Sequence, residues 1–246
     1  MTEDHDRPAG SGAAMRQRDV WVVAEQDGGR MAPVSLELVG KARELADELG
    51  VEVVAVLSGA EVEELAGVLV EHGADVVMLV EHPELAEYRT LPYARVITDL
   101  LRRHRPSIVL LGGTPVGRDL APRLASALRA GLTADCTALR IGPLEAGGRR
   151  YEQLLHQIRP AFGGNLIATI VNPEMHPQMA TVREGVMCTP ARQPGRIGRI
   201  ERVEPVFEPG DFALQILDRV MRLPEVDLAR AQVIVAGGAG VGGPEG

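Results

Sequence analysis

Short apolar runs alternate with amphipathic segments over the first half of the chain, and this alternation limits the possible folds more than any other feature. VWVVA at 20–24 is apolar throughout, and similar runs follow at 51–57, 75–80 and 107–113. The segments at 35–50, 61–73 and 91–104 between them repeat apolar residues at helical spacing. Apolar strands are covered on both faces, and short loops give right-handed crossovers. We therefore predict an α/β fold with a mostly parallel sheet flanked by helices.

The pattern changes after a fourth helical segment at 119–129. Four strand-like pieces, CTALRIG, RYEQLLHQI, NLIATIV and QMATVRE, are separated by turn sequences rich in Gly, Pro and Asn. We interpret them as a β-rich annex on the same sheet. A short helix is predicted at 211–223. AQVIVAGG at 231–238 then repeats the pattern of a buried strand followed by glycines.

These shifts divide the chain into four predicted parts. Residues 1–18 are polar with mixed charge and are typical of a disordered tail. Residues 19–205 form the α/β domain with its annex, and residues 206–228 form a linker with the short helix. Residues 229–246 begin a second α/β domain with its first strand. Because the chain ends at VIVAGGAGVGGPEG, we expect that second domain to be incomplete within these residues.

Composition argues against several classes of function. The net charge of −8 and the lack of a basic patch disfavour nucleic-acid binding, which depends on clustered Lys and Arg. No segment approaches 18 consecutive apolar residues, so no membrane insertion is expected. Cys136 and Cys188 are too far apart for a zinc site or a disulfide framework, which favours a reducing cytoplasm. The histidines show no metal-binding spacing, and we expect no metal site.

The segment GGTPVGRDLAPR at 112–123 carries the first candidate residues. Because proline is unfavourable inside a helix, Pro122 predicts a helix that begins within about a turn before it, with Asp119 as N-cap or first-turn acid. Arg118 then lies beside the positive end of that helix, which is electrostatically unfavourable. We therefore expect Arg118 to pair with Asp119, with an acid on another segment, or with a partner.

A second candidate is Arg159 in the segment RPAFGGN. Pro160 stiffens the turn, and Gly163 and Gly164 let the backbone approach a ligand or a partner closely. Arg159 is the charged side chain of this turn. An ion pair within the chain is the alternative to a functional role.

Together, GGTPVGRDLAPRLASALRAGLTADCTAL, IRPAFGGNLIATI and HPQMATVREGVM resemble the alpha subunit of the electron transfer flavoproteins, and the resemblance extends from Asp19 to Gly240. It implies an adenine nucleotide alpha hydrolase-like α/β domain and a heterodimer of alpha and beta subunits that carries FAD. Such a heterodimer takes electrons from flavin dehydrogenases and passes them to a quinone-linked or other acceptor, in some members by bifurcation. The chain is then expected to be an electron carrier without independent catalytic activity.

The resemblance also implies roles for individual residues. The resemblance implies that the loop with Arg159 faces the interior of the heterodimer. In members with a second flavin on the beta subunit, an arginine here stabilises a reduced, anionic flavin through a charge-assisted hydrogen bond. The residues expected at the interface with the beta subunit are Arg118, Asp119, Arg123 and Phe162.

The glycines near the end of the chain match the first turn of the family's FAD domain. Gly237, Gly238 and Gly240 are the residues expected to contact the cofactor, but Ala239 stands where relatives usually carry an arginine. The later family motifs that contact the flavin do not follow. We therefore expect FAD in the full-length heterodimer and no FAD in this chain alone.

Two alternative functions belong to other classes. A nucleotide-binding α/β module is one, but phosphate loops such as SGGxDS, GxxxxGK[ST] and GxxGxxxxGS are absent from the sequence. A docking-only interaction protein without a redox role is the other. The sequence leaves the donor dehydrogenase and the acceptor open.

Overall fold

The computed structural model describes residues 19–164, 166–220, 228 and 231–243. They divide into two compact units, one that extends to Leu214 and one that begins at Gln215. The described residues of the first unit form four α-helices: α1 (Pro33–Leu49), α2 (Glu63–Glu71), α3 (Thr90–His104) and α4 (Pro115–Leu128). The predicted boundaries of the linker at 206–228 and of a second domain at 229–246 remain predictions.

The strands of the first unit form three sheets. The main sheet has seven strands in the order β12-β5-β4-β1-β6-β11-β7, and all its pairs are parallel. A separate antiparallel sheet has the order β10-β9-β8, and β2 pairs with β3 as a short ribbon. The strands are β1 (Val20–Ala24), β2 (Gln26–Asp27), β3 (Arg30–Met31), β4 (Val53–Gly59), β5 (Val76–Glu81), β6 (Ile108–Gly112), β7 (Leu132–Cys136), β8 (Ala138–Ala146), β9 (Arg149–Ala161), β10 (Leu166–Ile170), β11 (Gln178–Val182) and β12 (Arg199–Arg202).

The core lies in two layers, one on each face of the main sheet. Alternate residues of β1 point to opposite layers, with Val20 and Val22 in one and Trp21 and Val23 in the other. Helices α1 and α2 cover the first face, and α3 and α4 cover the second. Strands β1, β4 and β6 are therefore buried along their whole length. The predicted α/β class with a mostly parallel sheet flanked by helices is confirmed.

The interpretation of the annex as part of the same sheet is wrong for its first three pieces and right for the fourth. The first three predicted pieces form the separate antiparallel sheet, because their polar residues alternate with apolar ones and only one face, with Leu139 and Leu155, packs against the core. The fourth piece, β11, is buried throughout and is inserted between β6 and β7 of the main sheet. Its side chain of Gln178 accepts a hydrogen bond from the Leu155 backbone at 2.9 Å, which ties the two sheets together.

The helix predicted to start just before Pro122 begins earlier. Its first residue is Pro115 and its N-cap is Thr114, whose hydroxyl accepts the Gly117 N–H at 2.9 Å. Asp119 is therefore neither the N-cap nor a first-turn acid, and Pro122 lies inside the helix. The tertiary contacts of α4 outweigh the local penalty of that proline.

Two predicted elements near the end of the chain are not formed in its described part. Residues 213–220 contain no helix, although a 3-10 turn covers Pro209–Phe212. Residues 231–238 contain no strand and are mostly exposed. An amphipathic helix and a buried strand both draw their stability from a packed neighbour, and a strand also needs a partner for its backbone hydrogen bonds. Within the described residues, no helix is both long and apolar enough to cross a membrane.

Candidate functional site

The carboxyl ends of β1 and β6 lie side by side, and the chain leaves them in opposite directions. From β1 the chain runs through α1 to β4, which lies on one side of β1. From β6 it runs through α4 to β7, which is the edge strand on the opposite side of the sheet. Open α/β sheets bind their ligands in the crevice at such a switch point. The residues that fill this crevice therefore bear on whether the domain holds a nucleotide.

Glu25, the first residue after β1, occupies this crevice. The Thr114 hydroxyl donates to its carboxylate Oε2 at 2.7 Å and links it to the start of α4. Ser35 holds the Glu25 backbone, because its hydroxyl accepts the N–H at 2.7 Å and donates to the carbonyl at 3.0 Å. The second carboxylate oxygen, Oε1, is buried and has no hydrogen-bond partner among the described residues.

Two glycines make room for this arrangement. A Cβ on Gly112 would lie 2.6 Å from Glu25 Oε1, and a Cβ on Gly117 would lie 1.9 Å from the Gly112 carbonyl oxygen. Both distances are far shorter than a van der Waals contact, so the first turn of α4 can pack onto the end of β6 only where no side chain is present. The Gly112–Gly113 and Val116–Gly117 pairs of the 112–117 segment allow this close approach of α4 to β6.

Burial raises the pKa of the Glu25 carboxyl, and the nearby Glu184 carboxylate raises it further. The Thr114 hydrogen bond opposes these effects without cancelling them. A carboxylate in this position repels a phosphate group, and no basic side chain among the described residues pairs with it. The crevice therefore suits an internal connection between β1 and α4 and does not suit a nucleotide.

Replacement of Glu25 by Gln is expected to remove a pH dependence of stability. Because the native pKa is raised, the native state binds more protons than the unfolded state between the two pKa values, and stability falls as pH rises through that window. Urea unfolding of both proteins at pH 5 and pH 8 measures this. We expect Glu25→Gln to gain stability relative to the original chain at the higher pH. If the difference in free energy of unfolding between the two proteins is equal at both pH values, the raised pKa of Glu25 is refuted.

A second cluster lies at the carboxyl ends of β7 and β11. Arg183 donates to both carboxylate oxygens of Asp135, at 3.1 and 2.6 Å. Arg118 lies 3.8 Å from the same carboxylate and donates its Nε–H to the Gly113 carbonyl at 2.8 Å. The hydrogen bonds from Arg183 are the main reason that the pKa of Asp135 is lowered, with Arg118 and Arg159 contributing by charge. The charges of three arginines thus act on one carboxylate.

Arg159 is the arginine of this cluster without a direct partner. It lies in β9 opposite Ala168 of β10 and is half-buried. Across 19–164, 166–220, 228 and 231–243, no hydrogen bond or ion pair to its side chain is found, although its charge acts on Asp135 and on the Cys136 thiol. Burial outweighs that charge and raises the pKa of Cys136 to about 11. The ion pair that was the alternative role for Arg159 is thus absent from the described residues.

The turn after Arg159 and the start of β10 carry three exposed apolar side chains, which we call the hairpin tip and define as Phe162, Leu166 and Ile167. Phe162 is 83% exposed and Ile167 is 77% exposed. Gly163 and Gly164 both have positive φ, which allows the chain to turn between β9 and β10. Exposed apolar residues that are grouped on one projecting turn are typical of a protein interaction site.

The other predicted interface residues lie on a different surface. The Asp119 carboxylate accepts hydrogen bonds from the Tyr88 hydroxyl at 2.7 Å and the Thr90 hydroxyl at 2.5 Å, which lowers its pKa. It thereby ties α4 to the start of α3. Arg123 lines a shallow groove between the same two helices, beside Arg95. The structure therefore brings Arg118 together with Arg159 through Asp135, and places Asp119 and Arg123 apart from them.

The glycines predicted to contact a cofactor lie on an exposed turn. Gly237 and Gly238 precede a 3-10 turn over Ala239–Val241, and none of Gly237, Gly238 and Gly240 has positive φ. A Cβ would meet open space at Gly238 and Gly240. Contact of these glycines with a cofactor therefore remains a prediction. His, Cys, Asp and Glu side chains form no metal-binding group anywhere in the described ranges.

Sequence reasoning missed Glu25, Asp135 and Arg183. Glu25 is the first residue after an apolar strand, so its position at the carboxyl edge of the sheet was a usable signal. Asp135 and Arg183 lie 48 residues apart, and their pairing follows from the insertion of β11 beside β7. No local pattern indicates that insertion.

A family model described as the electron transfer flavoprotein domain matches residues 20–207. The electron transfer flavoprotein subunit alpha of Thermoanaerobacterium thermosaccharolyticum is 46% identical over 230 residues, which cover 93% of this chain and 67% of that protein. Protein FixB of Clostridium saccharobutylicum is 44% identical, with 93% and 66% covered. The lactate dehydrogenase (NAD(+),ferredoxin) subunit LctC of Acetobacterium woodii is 39% identical, with 91% and 52% covered.

The matches thus cover nearly the whole chain but only part of each relative. The chain spans about two thirds of the length of the first two relatives and about half of the third. The family match ends at residue 207, before the second compact unit.

Proposed function

The chain belongs to the electron transfer flavoprotein family, and from this premise we propose that it serves as the alpha half of a heterodimeric electron carrier. Its part in that carrier is to dock on the beta subunit. The heterodimer accepts electrons from flavin dehydrogenases and passes them to a quinone-linked or other acceptor. Relatives are named as electron transfer subunits, and one is named as a subunit of an NAD(+)- and ferredoxin-dependent lactate dehydrogenase, which supports an electron-carrying role that extends to bifurcation.

The observation that carries the docking proposal is the hairpin tip. Phe162, Leu166 and Ile167 are exposed where β9 and β10 pair and the chain turns between them. Monomeric proteins rarely leave such a group uncovered, and large apolar side chains are the usual anchors of an interface. Arg159 lies on the same hairpin and brings a cation without a direct partner to this surface. We therefore assign the interface with the beta subunit to the hairpin tip together with the Asp135 cluster.

The proposed cofactor contacts also involve both subunits. FAD belongs to the heterodimer, and Arg159 is the residue of this chain that we place beside a flavin on the beta subunit. An arginine there stabilises the negative charge of a reduced flavin by a charge-assisted hydrogen bond. In the full-length heterodimer, Gly237, Gly238 and Gly240 are the residues of this chain that we propose to contact FAD.

Docking is tested by substitution at the hairpin tip. Phe162→Asp is expected to weaken binding to the cognate beta subunit about tenfold, because it replaces a large apolar anchor with a charge. Asp tolerates the positive φ of this position, so the fold is preserved. The measurement is titration calorimetry of the purified chain against the beta subunit.

Ile197→Asp is the matched control for this experiment. Ile197 is 93% exposed and lies outside the hairpin tip, so its replacement tests whether any exposed apolar residue has the same effect. We expect its affinity for the beta subunit to match that of the original chain. Equal loss of affinity in both variants, or no loss in either, would contradict the assignment of the interface.

A further inference from the structure

Strand β12 lies at one edge of the main sheet. Among the described residues, β5 is the one strand that pairs with it. The backbone N–H groups of Arg199 and Val203 donate to carbonyls on and just before β5, at 2.8 and 2.9 Å. Because successive residues of a strand direct their backbone groups to opposite sides, the N–H and C=O groups of Ile200 and Arg202 point away from β5. This edge therefore offers a row of backbone donors and acceptors to another strand.

The usual devices that protect an edge strand from pairing are missing from β12. Residues 195–204 contain no proline, and the register between β12 and β5 runs through Arg199–Arg202 without a bulge. All four side chains of β12 are exposed, so no other described part of the chain covers them. The charged side chains of β12 are the remaining protection, and their order decides which strand can pair there.

The sequence RIER of β12 is complementary to itself when two copies run antiparallel around Ile200. The two Ile200 residues then lie opposite each other and exchange a pair of backbone hydrogen bonds. Arg199 of each copy lies opposite Glu201 of the other, which gives two cross-strand pairs of opposite charge on one face of the sheet. A register centred on Arg199 or on Glu201 would instead place two like charges opposite each other, which is unfavourable.

The same register covers an exposed apolar side chain. Ile197 of one copy comes opposite Val203 of the other, and Val203 already packs against the core layer of α3 and α4. Ile197 is 93% exposed in the single chain, so this contact would remove apolar surface from water. Gly198 comes opposite Arg202. Gly198 lies against α2, where an added Cβ would be 2.9 Å from Val70, and its lack of a side chain leaves room for the arginine.

We propose that two copies of this chain pair edge to edge through β12, in the antiparallel register centred on Ile200. The interface uses the same surface of both copies and joins their main sheets into one sheet of fourteen strands, seven from each copy. Few residues take part, so we expect weak association with a dissociation constant on the order of 100 μM. This inference does not depend on the proposed electron-transfer role, and its test requires no beta subunit.

The test is sedimentation equilibrium of the chain alone at concentrations from about 5 to 500 μM. The average mass of the original chain should rise from that of one copy towards that of two. Ile200→Pro removes the outward N–H, which β12 does not use in its pairing with β5, so the strand keeps its place while the association weakens at least about tenfold. Ile200→Val is the matched control, because it keeps the N–H and a branched apolar side chain, and it should associate like the original chain.

Two charge variants test the register. Arg199→Glu and Glu201→Arg each place like charges opposite each other, so each variant alone should stay a single copy. An equal mixture of the two restores opposite charges at both positions and should recover the association of the original chain. The ion pairs lost within each chain, from Arg199 to Glu52 and to Glu201, are about half exposed, so both variants should keep their thermal midpoints within a few degrees.

Four results would overturn the proposal. The original chain would remain a single copy at the highest concentration, or Ile200→Pro would associate as strongly as the original chain. A mixture of the two charge variants that does not associate would contradict the register. Loss of association in Phe162→Asp would show that the copies meet at the hairpin tip and not at β12.

Discussion

Gly117→Ala is expected to destabilise the chain by about 3 kcal/mol, the upper end of the usual cost of overpacking a well-packed site. The added Cβ would lie 1.9 Å from the Gly112 carbonyl oxygen and 3.2 Å from Glu25 Oε1. The backbone of β6 is fixed by pairing with β1 and β11, so the first turn of α4 must shift and lose its Thr114 cap. Thermal unfolding should show a midpoint lowered by roughly 6–12 °C.

Gly67→Ala in α2 is the control for this substitution. A Cβ on Gly67 would meet no atom within 4 Å, and the residue lies inside a helix. Alanine is the better helix former, so this variant should gain about 0.5–1 kcal/mol. Equal destabilisation by both substitutions would show that the close approach of α4 to β6 is not the cause.

Arg159→Gln has the second large expected effect, and it concerns the heterodimer. If Arg159 lies beside a flavin on the beta subunit, its loss removes a charge-assisted hydrogen bond worth about 1.5–3 kcal/mol and lowers the one-electron potential by roughly 60–130 mV. Spectroelectrochemical titration of the assembled complex measures the potential. The isolated chain should keep its thermal midpoint within a few degrees, because no direct hydrogen bond or ion pair of Arg159 is present among its described residues.

Arg140→Gln is the matched control for Arg159→Gln. Arg140 is an exposed arginine of β8 in the same antiparallel sheet, and its backbone lies opposite His156 of β9. It should change neither the flavin potential nor the assembly of the heterodimer. An unchanged potential for Arg159→Gln together with a large loss of stability of the isolated chain would show that Arg159 has a structural role.

Local sequence patterns predict β1, β4, β5 and β6 of the main sheet well because these strands are buried along nearly their whole length. VWVVA and the amphipathic segment that ends at Gly50 identify β1 and α1, and Gly50 has the positive φ typical of a helix end. The antiparallel sheet is predicted as β-rich, but its separation from the main sheet depends on where β11 is inserted. Tertiary packing determines the position of β11 in the main sheet.

The contacts that define the sites join residues far apart in sequence. Thr114 and Glu25 are 89 residues apart, and Arg183 and Asp135 are 48 residues apart. Hydrophobic periodicity carries no information on such pairs, because it reports only which face of one element is buried. The N-cap of α4 is a different case. Thr114 followed by Pro115 is a recognisable helix start. Because Pro122 is expected in the first turn of a helix, the sequence predicts a helix that begins at a later residue.

The central claim is that this chain docks on a beta subunit through the hairpin tip, and sedimentation velocity of the two purified proteins tests it most directly. Mixed in equal amounts at micromolar concentration, the original chain and its cognate beta subunit should sediment as one heterodimer. Phe162→Asp should shift part of the material to the separate subunits, and Ile197→Asp should not. Two separate species from the original chain under the same conditions would contradict the account.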